Sequence, residues 1–379
     1  MTIKGRDRCI AVIIRVYKIW SSPSVCVKIT QKLYRKEGIT INYYKADGIE
    51  ETREKFLPST NEDVQGWIFS PQFLTILQIA NIASVICSLL KRKSLPKKAY
   101  EGRAEVYSDV SIFITALVMK IWKLSLGEVT RRLKLYPKLA IASGYQPGKT
   151  ISKSHLSRRI RRLGPLPFLL YFVYLVCQLI RAGVISAKDL IIDSTTVLAW
   201  YKDDMSAGWS YAKKFGYKVH TIICRHSMLP LWFFVSPANR NDSPYARPLL
   251  EKVVCLYKVT VEVVRADSAY WCYALLYYIA SLGARIAVDY NVRRKNRSIS
   301  ARDWLIWWVK RMGKRSTIER FFSIAKRWFG LSDFHGKGIE SFLLHTLLTY
   351  CSILSVALVA VRIGRPDLKL SPKQLLAPC

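Results

Sequence analysis

Three carboxylates in the second half of the chain could bind metal ions together. Asp193 directly follows an apolar run, and Asp267 directly follows a β-branched one. Glu319 lies in a stretch of helix-forming residues that contains no Pro or Gly. Hard divalent cations prefer oxygen ligands, and two such ions can activate an attacking hydroxyl and stabilise the leaving oxygen of a phosphodiester. We therefore predict that these three residues form a catalytic metal site.

Each carboxylate also has a simpler interpretation when it is taken alone. An Asp at a strand end is commonly a turn residue or a helix cap. A Glu between basic residues on a helix is commonly part of a surface ion pair. The combination of all three in a strongly basic protein favours the metal site, and the sequence contains no H-E-x-x-H, Walker A or G-x-S-x-G motif for other chemistry.

Glu319 is flanked on its predicted helix by two cations. Arg315, Glu319 and Lys326 are spaced so that they fall within roughly 40° of one another around the helix. An apolar arc runs beside them, made of Ile318, Phe322, Ala325 and Phe329. We expect Arg315 and Lys326 to hold the phosphates on either side of the reacting bond.

The elements around these residues predict a mixed α/β fold. The predicted strands cover residues 189–199, 217–224, 231–235, 259–265 and 284–289, and the predicted helices cover residues 243–257, 271–282 and 315–326. Period-two alternation and β-branched residues indicate the strands, and longer periodic segments indicate the helices. Three strands followed by alternating helices and strands are typical of a mixed sheet with flanking helices.

Other polar and aromatic residues of this region are predicted to be structural. His220 is expected to pack within the fold rather than act at the metal site. Asp203 and Asp204 lie in a polar loop and are expected to be solvated. The cluster of Trp304, Trp307 and Trp308 could stack on bases, but its spacing favours core packing.

The first half of the chain is predicted to be helical after a basic arm. Residues 1–60 form the arm or a small domain, and helices are predicted at 71–90, 109–124, 125–133, 152–163 and 166–180. Ser125 and Glu128 have the spacing of a capping box. The helix at 152–163 is rich in Arg and Lys, which suits either a helix-turn-helix DNA-binding module or a helical bundle with a solvated basic face.

The charge of the chain points to a polyanionic partner. The chain contains 60 Lys and Arg residues and 26 Asp and Glu residues, which gives a formal net charge of +34. Nucleic acid is the first candidate partner, and an anionic membrane surface is the second. Residues 341–361 carry no formal charge and are long enough to span a bilayer, but they could equally form a buried helix. Nine Cys without a C-x-x-C pair indicate a reducing compartment.

Taken together, these motifs resemble a known family. Asp193 in Ile-Ile-Asp-Ser-Thr, Asp267 in Arg-Ala-Asp-Ser-Ala-Tyr and Glu319 in Arg-x-x-x-Glu-x-x-x-x-x-x-Lys resemble the acidic triad of DDE transposases from insertion-sequence families four and five. Two further segments, Gly216-Tyr-Lys-Val-His220 and Ala238-Asn-x-Asn-Asp242, are also similar to that family. The motif resemblance covers roughly residues 185–335.

This resemblance implies a fold, a cofactor and a reaction. The fold would be RNase H-like, with Asp193, Asp267 and Glu319 binding Mg²⁺ or Mn²⁺ as two ions. The reaction would be cleavage at transposon ends followed by attack of the 3′-hydroxyls on target DNA. Arg315 and Lys326 fall on the positions that contact DNA phosphates in the family. Met312 stands where family four has Tyr, which favours family five and leaves the hairpin mechanism open.

The resulting prediction is a cytoplasmic DDE transposase that binds double-stranded DNA as a homodimer or higher oligomer, without a membrane. Its predicted domains are a basic arm at 1–60, a helical DNA-binding and dimerisation region at 61–184, a catalytic domain at 185–335 and a C-terminal helix and tail at 336–379. Two alternatives are kept open: a catalytically inactive DNA-binding derivative, and a basic membrane-associated protein.

Overall fold

The computed structural model describes residues 107–146, 148–288 and 316–375 of the chain. Several predictions fall outside these ranges. They are the arm at residues 1–60, the helix at residues 71–90, the phosphate contact of Arg315 and the packing of the Trp304, Trp307 and Trp308 cluster.

Five helices of the described ranges precede the sheet. They are α1 (Asp109–Ile121), α2 (Leu126–Leu135), α3 (Pro137–Ala142), α4 (Lys153–Leu163) and α5 (Leu166–Arg181). Serine caps begin three of them, because the hydroxyls of Ser108, Ser125 and Ser152 accept backbone N–H groups of the first turn. The predicted capping box at Ser125 is only half formed, since the Glu128 carboxylate pairs with Arg131 and Arg132 instead.

In the part of the chain that the structure describes, the sheet has six strands in a mixed arrangement. They are β1 (Asp189–Leu198), β2 (Gly208–Trp209), β3 (Phe215–Cys224), β4 (Pro230–Pro237), β5 (Val263–Ala266) and β6 (Arg285–Val288). The main path runs β2-β3-β1-β5-β6, with β4 also paired to β3. β1 is antiparallel to β3 and parallel to β5, and β5 is parallel to β6. An antiparallel three-strand unit extended by two parallel strands confirms the predicted RNase H-like mixed sheet; the short strand β2 was not predicted.

Two helices cross over between the later strands. α6 (Ser243–Tyr257) connects β4 to β5, and α7 (Tyr273–Ser281) connects β5 to β6. Both bury an apolar side against the sheet, with Leu249, Leu250 and Val253 fully buried in α6. Parallel strands require a long crossover connection of this kind, usually an α-helix.

Gly216 allows β1 and β3 to meet closely at one end of their ladder. A Cβ atom at this position would overlap the carbonyl oxygen of Val197 on β1. Leu198 pairs with Gly216 in the same ladder. The glycine of the Gly216-Tyr-Lys-Val-His220 motif is therefore explained by close backbone approach.

The last three helices are α8 (Ser316–Phe329), α9 (Ile339–Arg362) and α10 (Pro372–Leu375). The predicted apolar arc of α8 is confirmed, since Ile318, Phe322, Ala325 and Phe329 are all buried. α9 packs on the sheet, where the Tyr350 hydroxyl lies 2.7 Å from the Thr221 hydroxyl. It also contacts the first half of the chain, where Tyr171 of α5 bonds Ser355 at 2.9 Å.

α9 is also the one helix of the described ranges that could cross a membrane by its own length and composition. Its most apolar window has a mean hydropathy of 2.0, and counting each of two bent helix pairs as a single span would raise the number of such candidates to three. Within the protein, however, 94% of that window is buried. Its apolar surface is therefore already covered by the sheet and the neighbouring helices.

Candidate active site

The register of the central strands places Asp193 beside Asp267. Ile192 of β1 pairs with Ala266 of β5 in a parallel ladder, and each Asp is the next residue along its strand. Asp267 keeps an extended backbone, with φ −72° and ψ 165°. The two carboxylates therefore stand side by side where the parallel pairing of β1 with β5 ends, although they lie far apart in the sequence.

Both carboxylates have the same local geometry. One oxygen of Asp193 accepts the backbone N–H of Ser194 at 2.7 Å, and one oxygen of Asp267 accepts the backbone N–H of Ser268. Both side chains are partly exposed. This arrangement holds each carboxylate at a fixed angle to its strand.

Asp193 projects from the face of the sheet that α8 and α9 cover. It lies directly opposite Thr221 of β3, and opposite residues of an antiparallel pair share a face. The Thr221 hydroxyl bonds Tyr350 of α9, and the Tyr350 ring packs edge-on against Phe321 of α8 with centroids 5.5 Å apart. The helix that carries Glu319 is thus packed over the same face as Asp193.

Lys326 joins α8 to the first strand. Its Nζ donates a hydrogen bond of 3.1 Å to the backbone carbonyl of Thr196, three residues beyond Asp193. Burial, and next the positive charge of Lys214, lowers the pKa of Lys326 below its ordinary value. Glu319 lies two helical turns before Lys326 and is exposed.

The structure thus brings together two of the three predicted carboxylates directly. Within the described ranges, no group of three or more His, Cys, Asp and Glu side chains is arranged to hold a metal ion. The oxygen donors of Asp193 and Asp267 are nevertheless of the type that Mg²⁺ and Mn²⁺ prefer. These two residues could hold a divalent cation between them.

A second polar cluster lies behind Asp193 on the opposite face of the sheet. Asp242 stands at the N-cap position of α6 but makes no capping bond. Its Oδ1 atom accepts the Ser194 hydroxyl at 2.8 Å and lies 3.0 Å from Lys218 Nζ and 3.3 Å from His220 Nδ1. We call Asp242, Ser194, Lys218 and His220 the support cluster.

The support cluster is largely buried, and its charges compensate one another. Burial alone would raise the pKa of Asp242, but the bonds from His220 and Ser194 and the charge of Lys218 outweigh it and lower the pKa to about 2. Burial lowers the pKa of His220 against the opposing effect of Asp242, so its imidazole is neutral at neutral pH. His220 is fully buried and stacks on Tyr245 at 4.0 Å, as its predicted packing role requires.

Tyr270 connects the support cluster to the two catalytic candidates. Its side chain is buried, in the short 3₁₀ helix that follows Asp267. Burial, and then the negative charges of Asp242, Asp193 and Asp267, raise the pKa of Tyr270 well above its ordinary value. Three carboxylates therefore act electrostatically on one neutral hydroxyl.

Sequence reasoning did not identify Asp242 or Tyr270 as site residues. Asp242 ends the Ala238-Asn-x-Asn-Asp242 segment that is similar to the family, and its place before Ser-Pro is also typical of a helix cap. Tyr270 is the last residue of the Arg-Ala-Asp-Ser-Ala-Tyr motif, but no role at the site was assigned to it.

The fold and the two neighbouring carboxylates define a class of mixed α/β domains with acidic side chains where the pairing of two adjacent parallel strands ends. Residues 186–354, a segment that contains all three predicted carboxylates, match the family model described as "Transposase DDE domain". This segment covers somewhat less than half of the chain. No curated protein matches the chain.

Two solved structures are similar to the chain at low identity. The first is described as the cryo-EM structure of the piggyBac transposase synaptic complex with hairpin DNA, with 10% identity, a TM-score of 0.45, and coverage of 82% of this chain and 79% of that chain. The second is described as the crystal structure of the Mos1 strand transfer complex, with 10% identity, a TM-score of 0.19, and coverage of 95% of this chain and 98% of that chain.

Proposed function

We propose that this chain is a DDE transposase that cleaves DNA at the ends of a transposable element and joins those ends to target DNA. The observation that carries the proposal is the β1–β5 register, which aligns Asp193 with Asp267 inside the segment that matches the transposase domain model. The net charge of +34 supports a DNA substrate.

The residues of this chain have separable roles in the proposed reaction. Asp193, Asp267 and Glu319 would hold the divalent cations Mg²⁺ or Mn²⁺. When bound, such ions activate the attacking oxygen and stabilise the leaving oxygen of the phosphodiester. Lys326 would bind a phosphate next to the cleaved bond, because an anion there offsets both its burial and its repulsion by Lys214. Arg315 would bind the phosphate on the other side of Glu319.

The assembly is part of the same proposal. Two element ends must be held together for joint insertion, so we propose a homodimer or a larger oligomer. We also propose that the protein acts in the cytoplasm, where element and target DNA are both accessible.

The test is metal-dependent nicking and joining of DNA that carries the terminal inverted repeats. We expect Asp193→Asn, Asp267→Asn and Glu319→Gln each to lower cleavage by about 10²-fold or more, the scale of losing one group that stabilises charge in the transition state. DNA affinity should stay within about two-fold of wild type. Glu262→Gln is the matched control, since Glu262 is an exposed carboxylate at the start of β5.

The possible results are distinct. Full activity in one of the three variants would show that its residue is structural. Wild-type protein that binds the ends but does not cleave with either metal would identify an inactive DNA-binding derivative.

A further inference from the structure

An exposed cluster of aromatic side chains follows the strand that carries Asp193. The aromatic loop, residues 199–214, begins directly after β1 and runs through β2 to the start of β3. Six of the ten large hydrophobic side chains that are exposed within the described ranges lie at or beside this loop. They are Leu198, Trp200, Tyr201, Met205, Trp209 and Tyr211.

The loop is held firmly by a buried carboxylate. Asp204 was predicted to be solvated, but its residue is only 4% exposed, which corrects that prediction. It accepts hydrogen bonds from the Gly338 N–H at 3.0 Å, from the Ser206 N–H and hydroxyl, and from the Tyr217 hydroxyl. Burial alone would raise the pKa of Asp204, but these bonds outweigh it and lower the pKa to about 2. Asp203 is exposed as predicted and pairs with Lys337.

A tight hairpin presents the second half of the loop. The Ser210 N–H bonds the Lys214 carbonyl at 2.8 Å, and Lys213 adopts a left-handed conformation with φ 54°. Trp209 packs against Phe215 with centroids 5.3 Å apart, which fixes its ring while it stays 60% exposed. The exposed rings are thus set on a rigid base.

Basic residues alternate with these rings. Lys202 Nζ lies 6.0 Å from the Trp209 ring centroid, and Lys213 and Lys214 are exposed in the hairpin. Lys214 is near enough to Lys326 for its charge to act on that residue. The positive charge of the loop therefore continues to the helix that carries Glu319.

We propose that the aromatic loop binds unpaired DNA bases by stacking. Exposed aromatic rings beside cations are the combination that binds single-stranded nucleic acid, because every base has a π face and every nucleotide carries a phosphate. A protein partner fits less well, since Lys is depleted at the centre of protein interfaces. The proposal rests on the proposed function for its context, because strand cleavage creates a free 3′ end whose nucleotides can separate from the opposite strand.

The test measures DNA binding without metal or cleavage. A fluorescently labelled oligothymidine and a blunt duplex of equal length are titrated in EDTA with wild type, Trp209→Ala and Tyr211→Ala, and binding is followed by anisotropy. We expect each variant to weaken oligothymidine binding about ten-fold, the scale of losing one base stack, and to change duplex binding by less than about two-fold. Tyr277→Ala is the control, because Tyr277 is a 73% exposed tyrosine on α7.

Salt dependence separates stacking from charge. Trp209→Ala should leave the slope of log affinity against log salt unchanged, whereas Lys213→Gln should reduce it by about 1. Thermal unfolding of each variant confirms that the fold is intact, and sedimentation measures its oligomeric state.

Two results would overturn the proposal. One is wild-type oligothymidine affinity in both aromatic variants. The other is a changed oligomeric state with unchanged oligothymidine affinity, which would make the loop a protein interface. Asp193→Asn should bind oligothymidine as wild type does, so a failure of the proposed catalytic function is scored separately from a failure of this proposal.

Discussion

Asp189 and Asp193 are four residues apart on β1, and their surroundings differ. We assign Asp189 a role in stability and Asp193 a role in the proposed reaction. Asp189 is buried at the start of the strand, where Arg265 donates two hydrogen bonds to it, at 2.8 and 3.1 Å. Arg225 lies 2.6 Å from its second oxygen. Asp193, in the middle of the strand, is partly exposed and stands beside Asp267.

The first residue-scale prediction concerns Asp189. Asp189→Asn should lower the free energy of unfolding by about 3 kcal/mol, because it leaves two poorly solvated guanidinium groups without their counter-charge. Urea unfolding followed by circular dichroism measures this loss. Asp193→Asn should lose less stability than Asp189→Asn, and the reverse order would contradict the assignment of these two roles.

The second residue-scale prediction concerns the support cluster. Asp242→Asn should lower metal-dependent cleavage by about 10- to 100-fold, because residues that orient a metal ligand typically matter by that factor. Ser194→Ala removes the link from Asp242 to β1 and should produce a similar loss.

A double-mutant cycle tests whether these two residues act as one unit. The loss in the double variant should be close to that of the more damaging single variant. Simple addition of the two losses would show that Asp242 does not act on Asp193 through Ser194. The metal concentration needed for half-maximal cleavage should rise in each variant, a change that a purely structural defect would not produce.

At the scale of elements, α4 combines one structural arginine with several exposed ones. Arg159 is 5% exposed, and its Nη2 donates to Asp109 at 2.6 Å and to the Tyr107 carbonyl at 3.2 Å. Arg158 and Arg161 are exposed on the same helix. The basic face predicted from the sequence is therefore real, but Arg159 belongs to the packing of α4 on α1.

The element-scale prediction separates these residues. Arg159→Met should lower the free energy of unfolding by about 2–3 kcal/mol, since it leaves the Asp109 carboxylate and the Tyr107 carbonyl without their donor. Arg158→Gln and Arg161→Gln should change stability by less than about 0.5 kcal/mol. If α4 contacts DNA, each should also lower the salt slope of duplex binding by about 1. Unchanged slopes would favour the helical bundle with a solvated basic face.

At the scale of the whole molecule, folding lowers the pKa of several buried groups. Burial lowers the pKa of His220, and burial and the neighbouring Lys120 lower the pKa of His345 well below its ordinary value. The pKa of Asp204 and that of Asp242 are both lowered to about 2. In each case the unfolded chain binds a proton at a higher pH than the folded chain does.

The whole-molecule prediction is a loss of stability in two steps as pH falls. Below about pH 6.5, each buried histidine should cost about 1 kcal/mol per pH unit until its folded form is protonated. Between about pH 4 and pH 2, the stabilising contribution of Asp204 and Asp242 should be lost as well.

Urea unfolding between pH 8 and pH 3 measures this profile. His345→Gln should flatten the first step, whereas His226→Gln should leave it unchanged because His226 is exposed. A first step of equal size in His345→Gln would show that His345 does not contribute to it.

The sequence alone determined the kind of fold and most of its elements. The helix at 243–257 was predicted with the bounds of α6, and the apolar arc of α8 is buried as its spacing required. These features depend on residues close together in the chain, where periodicity and turn chemistry act. Asp193 and Asp267 were also visible as candidates, because each follows an apolar or β-branched run in the sequence.

Only the tertiary structure decided how these residues are combined. Asp242 accepts a hydrogen bond from Ser194, 48 residues away in the chain, instead of capping its own helix. Asp204 accepts the backbone N–H of Gly338, which is 134 residues away. Local pattern predicted solvent for Asp204 and did not indicate the contact of Asp242 with β1, because a short segment cannot show which distant donor will satisfy a carboxylate. The parallel register that aligns Asp193 with Asp267 likewise depends on the packing of strands far apart in sequence, since local composition does not specify which residues of two strands stand side by side.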